Sequence, residues 1–360
     1  MNEYSTIIGM DLGDTYHHYC VLDTSSGEVL NEGRVRCTKA AVERLFGELT
    51  PTLVAVETGT HSPWLSRLLT ELGHEVLVGN ARKLRAIYEN EHKCDGRDAE
   101  MLARMARLDP KLLSPIRHRS QQAQADLAVL RSRAAAVTAR TKFINHVRGT
   151  VKSFGLRLPS CSAPAFHHKV RKDIPEDLHP ALLPVLAQIE SLTKTIRGYD
   201  KTIERYCEDT YAETDVLRSV PGVGPITALC FVLTLEQPHR FKKSRDVAAF
   251  FGLTPRRSQS GKSDPQLRIT KAGDCHMRRL LVGSAQFILG PFGPDSQLRQ
   301  WGLKLAETGG SHAKRRAVVA VARKLAVLLH RLWVDDAYFE PFPDKTHPPQ
   351  TGTGEATAAA

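Results

Sequence analysis

Four carboxylates in the first hundred residues have the types and settings needed for phosphoryl-transfer chemistry. Asp11 closes the apolar run Ile7-Ile8-Gly9-Met10, and Glu57 closes Leu53-Val54-Ala55-Val56. Asp95 and Asp98 stand three apart where Lys93-Cys94-Asp95-Gly96-Arg97-Asp98-Ala99 opens a helix. A carboxylate at a buried strand end must be neutralised, because an unpaired charge in an apolar setting is costly. A divalent cation is one partner that does this, and four such acids are the ligand set of a two-metal phosphoryl-transfer site. Each acid also has a plainer reading. Asp11 fits a turn, Glu57 fits a cap on the next helix, and Asp95 with Asp98 fits a capping box favoured by the helix dipole. The same three-residue spacing lets both helix acids reach one metal.

A second chemical feature lies far along the chain. Residues 239–280 carry eleven lysines and arginines against three acids. At the centre of this segment, Gly252-Leu253-Thr254-Pro255-Arg256-Arg257-Ser258-Gln259-Ser260-Gly261-Lys262-Ser263 sets Ser260 among Arg256, Arg257 and Lys262, with Lys271 beyond. A serine in such a loop either attacks a phosphodiester while cations stabilise the developing charge, or only binds phosphate. No histidine base is identifiable nearby. Upstream, Gly222 and Gly224 in Val220-Pro221-Gly222-Val223-Gly224-Pro225 stand beside a helix start. They suit either close approach of backbone N–H groups to a phosphate, as in helix-hairpin-helix DNA binders, or a structural corner. The basic stretch His312–Trp333 fits a phosphate-facing surface or an ordinary amphipathic helix equally.

The elements that must carry these residues follow from periodicity. Apolar runs at 6–12, 17–22, 53–56 and 75–78 have strand length, and 43–49 and 63–72 have helical spacing. Three early strands followed by alternating helices and strands predict an α/β, ribonuclease-H-like domain over 1–116. From 117 to 210 the period becomes helical. Leu182, Val185, Ile189, Leu192, Ile196, Tyr199, Ile203 and Tyr206 step by three and four, a coiled-coil spacing. It serves two helices packed within one chain, a seam between protomers, or both. Residues 211–338 read as a third, mostly helical unit, and 339–360 as a disordered tail rich in Pro, Thr, Gly and Ala.

Bulk properties narrow the class. The 360 residues allow two or three domains, and 50 Lys+Arg against 39 Asp+Glu give a net charge of +11 and a pI near 9.4. That balance predicts a polyanionic partner, nucleic acid before anionic membrane. No apolar stretch is long enough to span a bilayer. The seven cysteines form no C-x-x-C pair, and the N-terminus has no basic leader or cleavage site, so a cytosolic protein with reduced thiols is expected.

Taken in order, I-G-M-D-L-G at 8–13, A-V-E-T-G at 55–59, K-C-D-G-R-D-A at 93–99, V-P-G-V-G-P at 220–225, F-G-L-T-P-R at 251–256, Q-S-G-K at 259–262 and R-I-T-K-A-G-D at 268–274 resemble the DEDD transposases of bacterial insertion sequences, the group related to Piv-type DNA invertases. The resemblance covers about residues 5–335. It implies a RuvC-like N-terminal domain whose Asp11, Glu57, Asp95 and Asp98 hold Mg²⁺, with Mn²⁺ as a substitute. It implies a coiled-coil segment joining protomers into a dimer, or a tetramer built as a pair of dimers. It further implies a C-terminal transposase domain with a helix-hairpin-helix-like motif and Ser260 as nucleophile. DNA would be cut and rejoined through a covalent phosphoserine link, guided by a structured bridge RNA that pairs with target and donor DNA. Cys94 departs from the pattern, which usually has a small hydroxyl residue there. The acids and Ser260 lie more than 160 residues apart, so a working centre requires the two domains to meet, within one chain or between protomers. Rival readings are a RuvC-like nuclease or junction resolvase that uses water, and a non-catalytic nucleic-acid-binding protein.

Overall fold

A computed structural model of the chain describes residues 4–84, 94–261, 263–265, 267–308, 310 and 312–343. The chain divides into two compact units, 1–119 and 120–360.

The first unit is built on a sheet of five strands among the described residues: β1 (Thr6–Leu12), β2 (Tyr16–Asp23), β3 (Val29–Arg36), β4 (Leu53–Glu57) and β5 (Glu75–Gly79), in the order β3-β2-β1-β4-β5. β1, β2 and β3 form an antiparallel meander, and β4 and β5 add in parallel beside β1. The parallel additions need crossovers, which α1 (Lys39–Phe46) and α2 (Ser62–Glu71) supply. After β5 come the short α3 (Ala81–Leu84) and α4 (Asp95–Leu108).

Strand alternation splits the core in two. Ile8, Met10, Val54 and Val56 pack with Val42 and Phe46 of α1 and with Leu65, Leu68 and Leu69 of α2. On the opposite face, Ile7, Cys20, Leu22, Leu53 and Ala55 pack with Ala99, Leu102, Ala103 and Ala106 of α4. Alanines dominate the sheet-facing side of α4, and Gly9 lies under it. A Cβ at Gly9 would overlap the Ala99 carbonyl oxygen and the Ala103 nitrogen, so this glycine sets how closely α4 lies on β1.

The second unit is helical. α5 (Gln121–Ser153) is capped by the Ser120 hydroxyl, which accepts from the Ala123 N–H at 3.1 Å. The chain returns through α6 (Phe166–Lys169) and α7 (His179–Asp209). α5 and α7 run antiparallel: Arg133 Nε meets Asp200 Oδ1 at 2.5 Å, and Arg140 donates to the Thr193 hydroxyl at 3.3 Å. Near the turn, Ile144, Val147 and Val151 pack with Leu182, Leu186, Ile189 and Phe166. The buried side of α7 reads Leu182, Leu186, Ile189, Thr193, Ile196, Ile203 and Cys207. Half of the expected heptad seam lies there, whereas Val185, Leu192, Tyr199 and Tyr206 sit beside it, half exposed. The period matches the expected spacing, but α5 claims the stripe one residue further round.

α8 (Thr214–Arg218), α9 (Pro225–Leu235), α10 (Ser244–Phe250), α11 (Cys275–Leu289), α12 (Gln297–Glu307) and α13 (Ala313–Asp335) complete the unit. α9 is apolar on all sides and buried throughout Thr227–Leu235, as expected of a central helix that others enclose. α13 turns Val321, Ala322, Leu325 and Leu329 to this core, while Lys324 stacks on the Trp301 ring at 4.2 Å, so its basic residues edge an amphipathic helix. No helix among the described residues is long and apolar enough to cross a membrane. Residues 344–360 lie outside the described residues, so most of the expected tail is not covered.

Candidate functional site

The register of the sheet determines which acids share a face. Asp11 pairs directly with His18 across the antiparallel β1–β2 ladder. On the other side, Met10 pairs with Val56 in the parallel β1–β4 ladder, so the next residues, Asp11 and Glu57, are neighbours. By the period of two, Asp11 follows Gly9, Glu57 follows Ala55 and His18 precedes Cys20, all on the α4 side. α4 brings its first turn, with Asp95 and Asp98, to the same side, because 95, 98, 99, 102 and 106 continue one helical stripe.

One oxygen of Asp11, one of Asp95 and one ring nitrogen of His18 all lie within 4.8 Å of one another. His18 Nδ1 stands 3.6 Å from Asp95 Oδ2. Donors bound to one small divalent ion at about 2.0–2.3 Å are separated by roughly 3–4.5 Å. The His18–Asp95 separation falls in that range, and the trio's mix of hard carboxylate oxygens with an imidazole fits a divalent metal. Glu57 and Asp98 are half-buried on the same side but stand outside the trio. The positive end of the α4 dipole adds to the stabilisation of carboxylates there.

Asp95 is not the helix cap that its position before an apolar stripe suggests. Cys94 occupies the N-cap with no side-chain hydrogen bond, and Asp95 is the first helical residue. One position further in, its carboxylate is turned towards β1 and β2 rather than back onto the helix N–H groups.

The loops behind the acids are laced together. His61 Nε2 lies 3.1 Å from Asp14 Oδ1, and Trp64 Nε1 donates to His61 Nδ1 at 3.1 Å, so the proton of this imidazole sits on Nε2. That bond ties the turn after β1 to the start of α2, just beyond the ends of the strands that carry Asp11 and Glu57. His17, next to His18, points to the opposite face among His61 and Trp64. Burial, then the neighbouring His61, lower its pKa to about 4, so it is neutral at pH 7. Sequence reasoning overlooks His18. A short turn between Leu12 and His17 opposes residue 11 to residue 18, but only the observed pairing shows which histidine faces the acids.

Ser260 belongs to a narrow two-stranded arm in the second unit. Thr270 N–H donates to the Thr254 carbonyl at 2.9 Å, Arg256 N–H to the Arg268 carbonyl at 2.9 Å, and Ser260 and Ser263 exchange main-chain bonds at 3.1 and 3.0 Å. Gly261 turns the tip with φ +55°, and Ser260 is exposed beside it. At the base, Gly252 and Gly273 both have positive φ. A Cβ on either would overlap backbone across the arm, at Ala272 and at Phe250 respectively. Arg278 donates to the carbonyls of Phe251, Ala272 and Gly273, so its charge ties the base together.

Arg256, Arg257 and Lys271 are all exposed on this arm. Arg257 pairs with Asp264 at 3.4 Å, and Lys271 N–H donates to the Gly252 carbonyl at 3.0 Å. Lys262 lies outside the described residues. Gly222 has φ +84°, and a Cβ there would come 2.8 Å from the Phe287 ring, so turn geometry and packing on α11 explain this glycine. Gly224 is the N-cap of α9, and a Cβ there would meet nothing within 4 Å, leaving that helix start open to approach.

Comparison with known proteins covers both units. A family model for the DEDD transposase of IS110 matches residues 8–155, and a model for the transposase of the IS116/IS110/IS902 family matches residues 214–297. The transposase for insertion sequence element IS1328 of Yersinia enterocolitica is 28% identical over 337 residues, covering 91% of this chain and 96% of its own. The transposase for insertion sequence element IS1111A of Coxiella burnetii is 27% identical, covering 91% and 89%. A probable family 20 transposase of Pseudomonas aeruginosa is 28% identical, covering 78% and 83%.

Proposed function

Since this chain belongs to the IS110/IS116 family of insertion-sequence transposases, we propose that it cuts and rejoins DNA at the element ends and target through a covalent phosphoserine link. The observation that carries this reading is the gathering of Asp11 and Asp95 with His18, donor atoms within 4.8 Å of one another, with Glu57 and Asp98 on the same side.

Asp11, Glu57, Asp95 and Asp98 hold and orient a divalent cation, Mg²⁺ with Mn²⁺ as a substitute. When bound, such a cation would supply positive charge beside the scissile phosphate, polarising it and offsetting the charge that builds there. Ser260 Oγ attacks the phosphorus. A serine–phosphate bond forms, a deoxyribose oxygen leaves with the bonding pair, and the hydroxyl proton passes to solvent. Attack by a second DNA end reverses these steps and frees the serine. Arg256, Arg257, Lys262 and Lys271 contact phosphates, and the turn at Gly222 and Gly224 offers main-chain N–H groups to another. Contacts of this kind carry little sequence information, so target and donor choice belongs to a bridge RNA that base-pairs with DNA, and binding weakens steeply with salt. The half-exposed apolar flank of α7 supports a dimer, or a pair of dimers, joined along this helical segment.

The test is capture of a covalent protein–DNA adduct by the full chain, given Mg²⁺, element-end DNA and RNA transcribed from the element's non-coding flank. Adduct and strand exchange are expected for the wild type and neither for Ser260→Ala. Full strand exchange by Ser260→Ala would rule the serine out. A nuclease that uses water is the second reading, favoured by the confinement of all four acids to residues 1–119. It predicts metal-dependent cleavage without any adduct.

A further inference from the structure

Among the described residues whose donor atoms gather at the acid cluster, His18 alone lies outside the sequence motifs. Its position is not incidental. It is the direct cross-strand partner of Asp11, and its Nδ1 faces Asp95 across 3.6 Å. That separation is too long for a hydrogen bond, which needs about 2.7–3.2 Å. It falls between the roughly 3 Å and 4.3 Å expected of adjacent and opposite donors on one six-coordinate ion. All three donor atoms keep within 4.8 Å of one another. The adjoining His17 cannot substitute, because the strand alternation turns it to the α2 face.

We propose that His18 is a nitrogen ligand of the metal centre and biases it towards Mn²⁺ over Mg²⁺. The physical reason is ligand softness. Mg²⁺ takes oxygen donors almost exclusively and gives up water reluctantly, whereas Mn²⁺ accepts imidazole more readily. A set of carboxylates alone barely separates the two ions, and one imidazole in the set favours the transition metal. Asp11 and Asp95 hold the ion by charge, and His18 decides which ion is held better. Replacing the imidazole with an oxygen donor should therefore remove most of the preference while leaving the site able to bind metal.

This inference rests on the proposed metal centre, and the experiment separates the two. Mn²⁺ is titrated into the full chain by electron paramagnetic resonance, Mg²⁺ is measured by competition, and the bound Mn²⁺ is examined by electron spin-echo modulation for a coupled imidazole ¹⁴N. The wild type should show the nitrogen modulation. His18→Gln should lose it, with Mn²⁺ affinity falling by about tenfold or more and Mg²⁺ affinity changing by less than about threefold. Mn²⁺ bound without nitrogen modulation in the wild type would overturn the assignment, and this measurement needs no variant to fold. Equal loss of both ions in His18→Gln would overturn the selectivity. If Asp11→Asn binds Mn²⁺ as well as the wild type does, the metal-centre reading itself fails, whatever His18 does.

Discussion

The acid face of the first unit and the serine arm of the second are held in place by different forces. Asp11, Glu57 and His18 take their positions from strands whose neighbouring residues are buried, and Asp95 and Asp98 from a helix pressed onto Gly9. Their placement is a by-product of core packing, which is close to crystalline in density and resists displacement. Ser260 has no such support. The arm from Pro255 to Arg268 is exposed at every described residue. It is held by main-chain hydrogen bonds, each contributing about 1 kcal/mol, and by the glycine crossing at its base. The acids are thus positioned by the fold, and the serine by a local device that the fold merely anchors. The same kind of substitution should have different consequences in the two places.

The largest effects should separate the two halves by chemistry. Asp11→Asn and Ser260→Ala are each expected to lower strand exchange by about a thousandfold or more. Only Asp11→Asn should also lose Mn²⁺ binding. If Ser260→Ala lost the metal as well, the acid face and the arm would not be independently held. Next comes Gly9→Val, whose side chain must push α4 off the sheet. A cost of about 3 kcal/mol or more in urea unfolding is expected, with metal affinity falling alongside.

At the arm the glycines should behave more locally. Gly273→Ala forces a positive φ on a residue that also overlaps the Phe250 carbonyl. It should abolish strand exchange while Mn²⁺ binding stays at the wild-type level. Gly261→Ala meets open space, and its φ of +55° should cost only about 1–2 kcal/mol. The smallest effect on stability belongs to Arg257→Ala. Its pair with Asp264 is solvent-exposed, so the change should be within about 0.5 kcal/mol. DNA affinity should nevertheless drop, and the slope of log affinity against log salt should become shallower by about one.

Much of the acid site is legible in the amino-acid sequence. Asp11 and Glu57 each end an apolar run, and an acid in that position stands out because burial makes it expensive. His18 is not legible there. Tyr16-His17-His18-Tyr19 alternates equally well in either phase, and a shift of one residue would exchange the two imidazoles between faces. The α7 seam shows the same limit. Its period is readable, but Val185, Leu192, Tyr199 and Tyr206 are as apolar as the residues that α5 covers. The arm gives the opposite result. Its base glycines, Gly252 and Gly273, are explained by backbone crossings, and Gly222, which as a sequence suits phosphate contact or a corner, by packing on Phe287.

Local spacing was enough for most of the elements and for singling out the acids and the basic loop, because strand ends, helix starts and charge density are written within a few residues. It did not reveal that Asp95 is the first helical residue rather than the cap, that His18 joins Asp11, or that Arg278 ties the base of a loop. Those outcomes belong to the folded molecule, since they depend on strand register and on the distance at which α4 rests on Gly9. Both are set by contacts between residues far apart in the chain, and neighbouring residues carry no record of them.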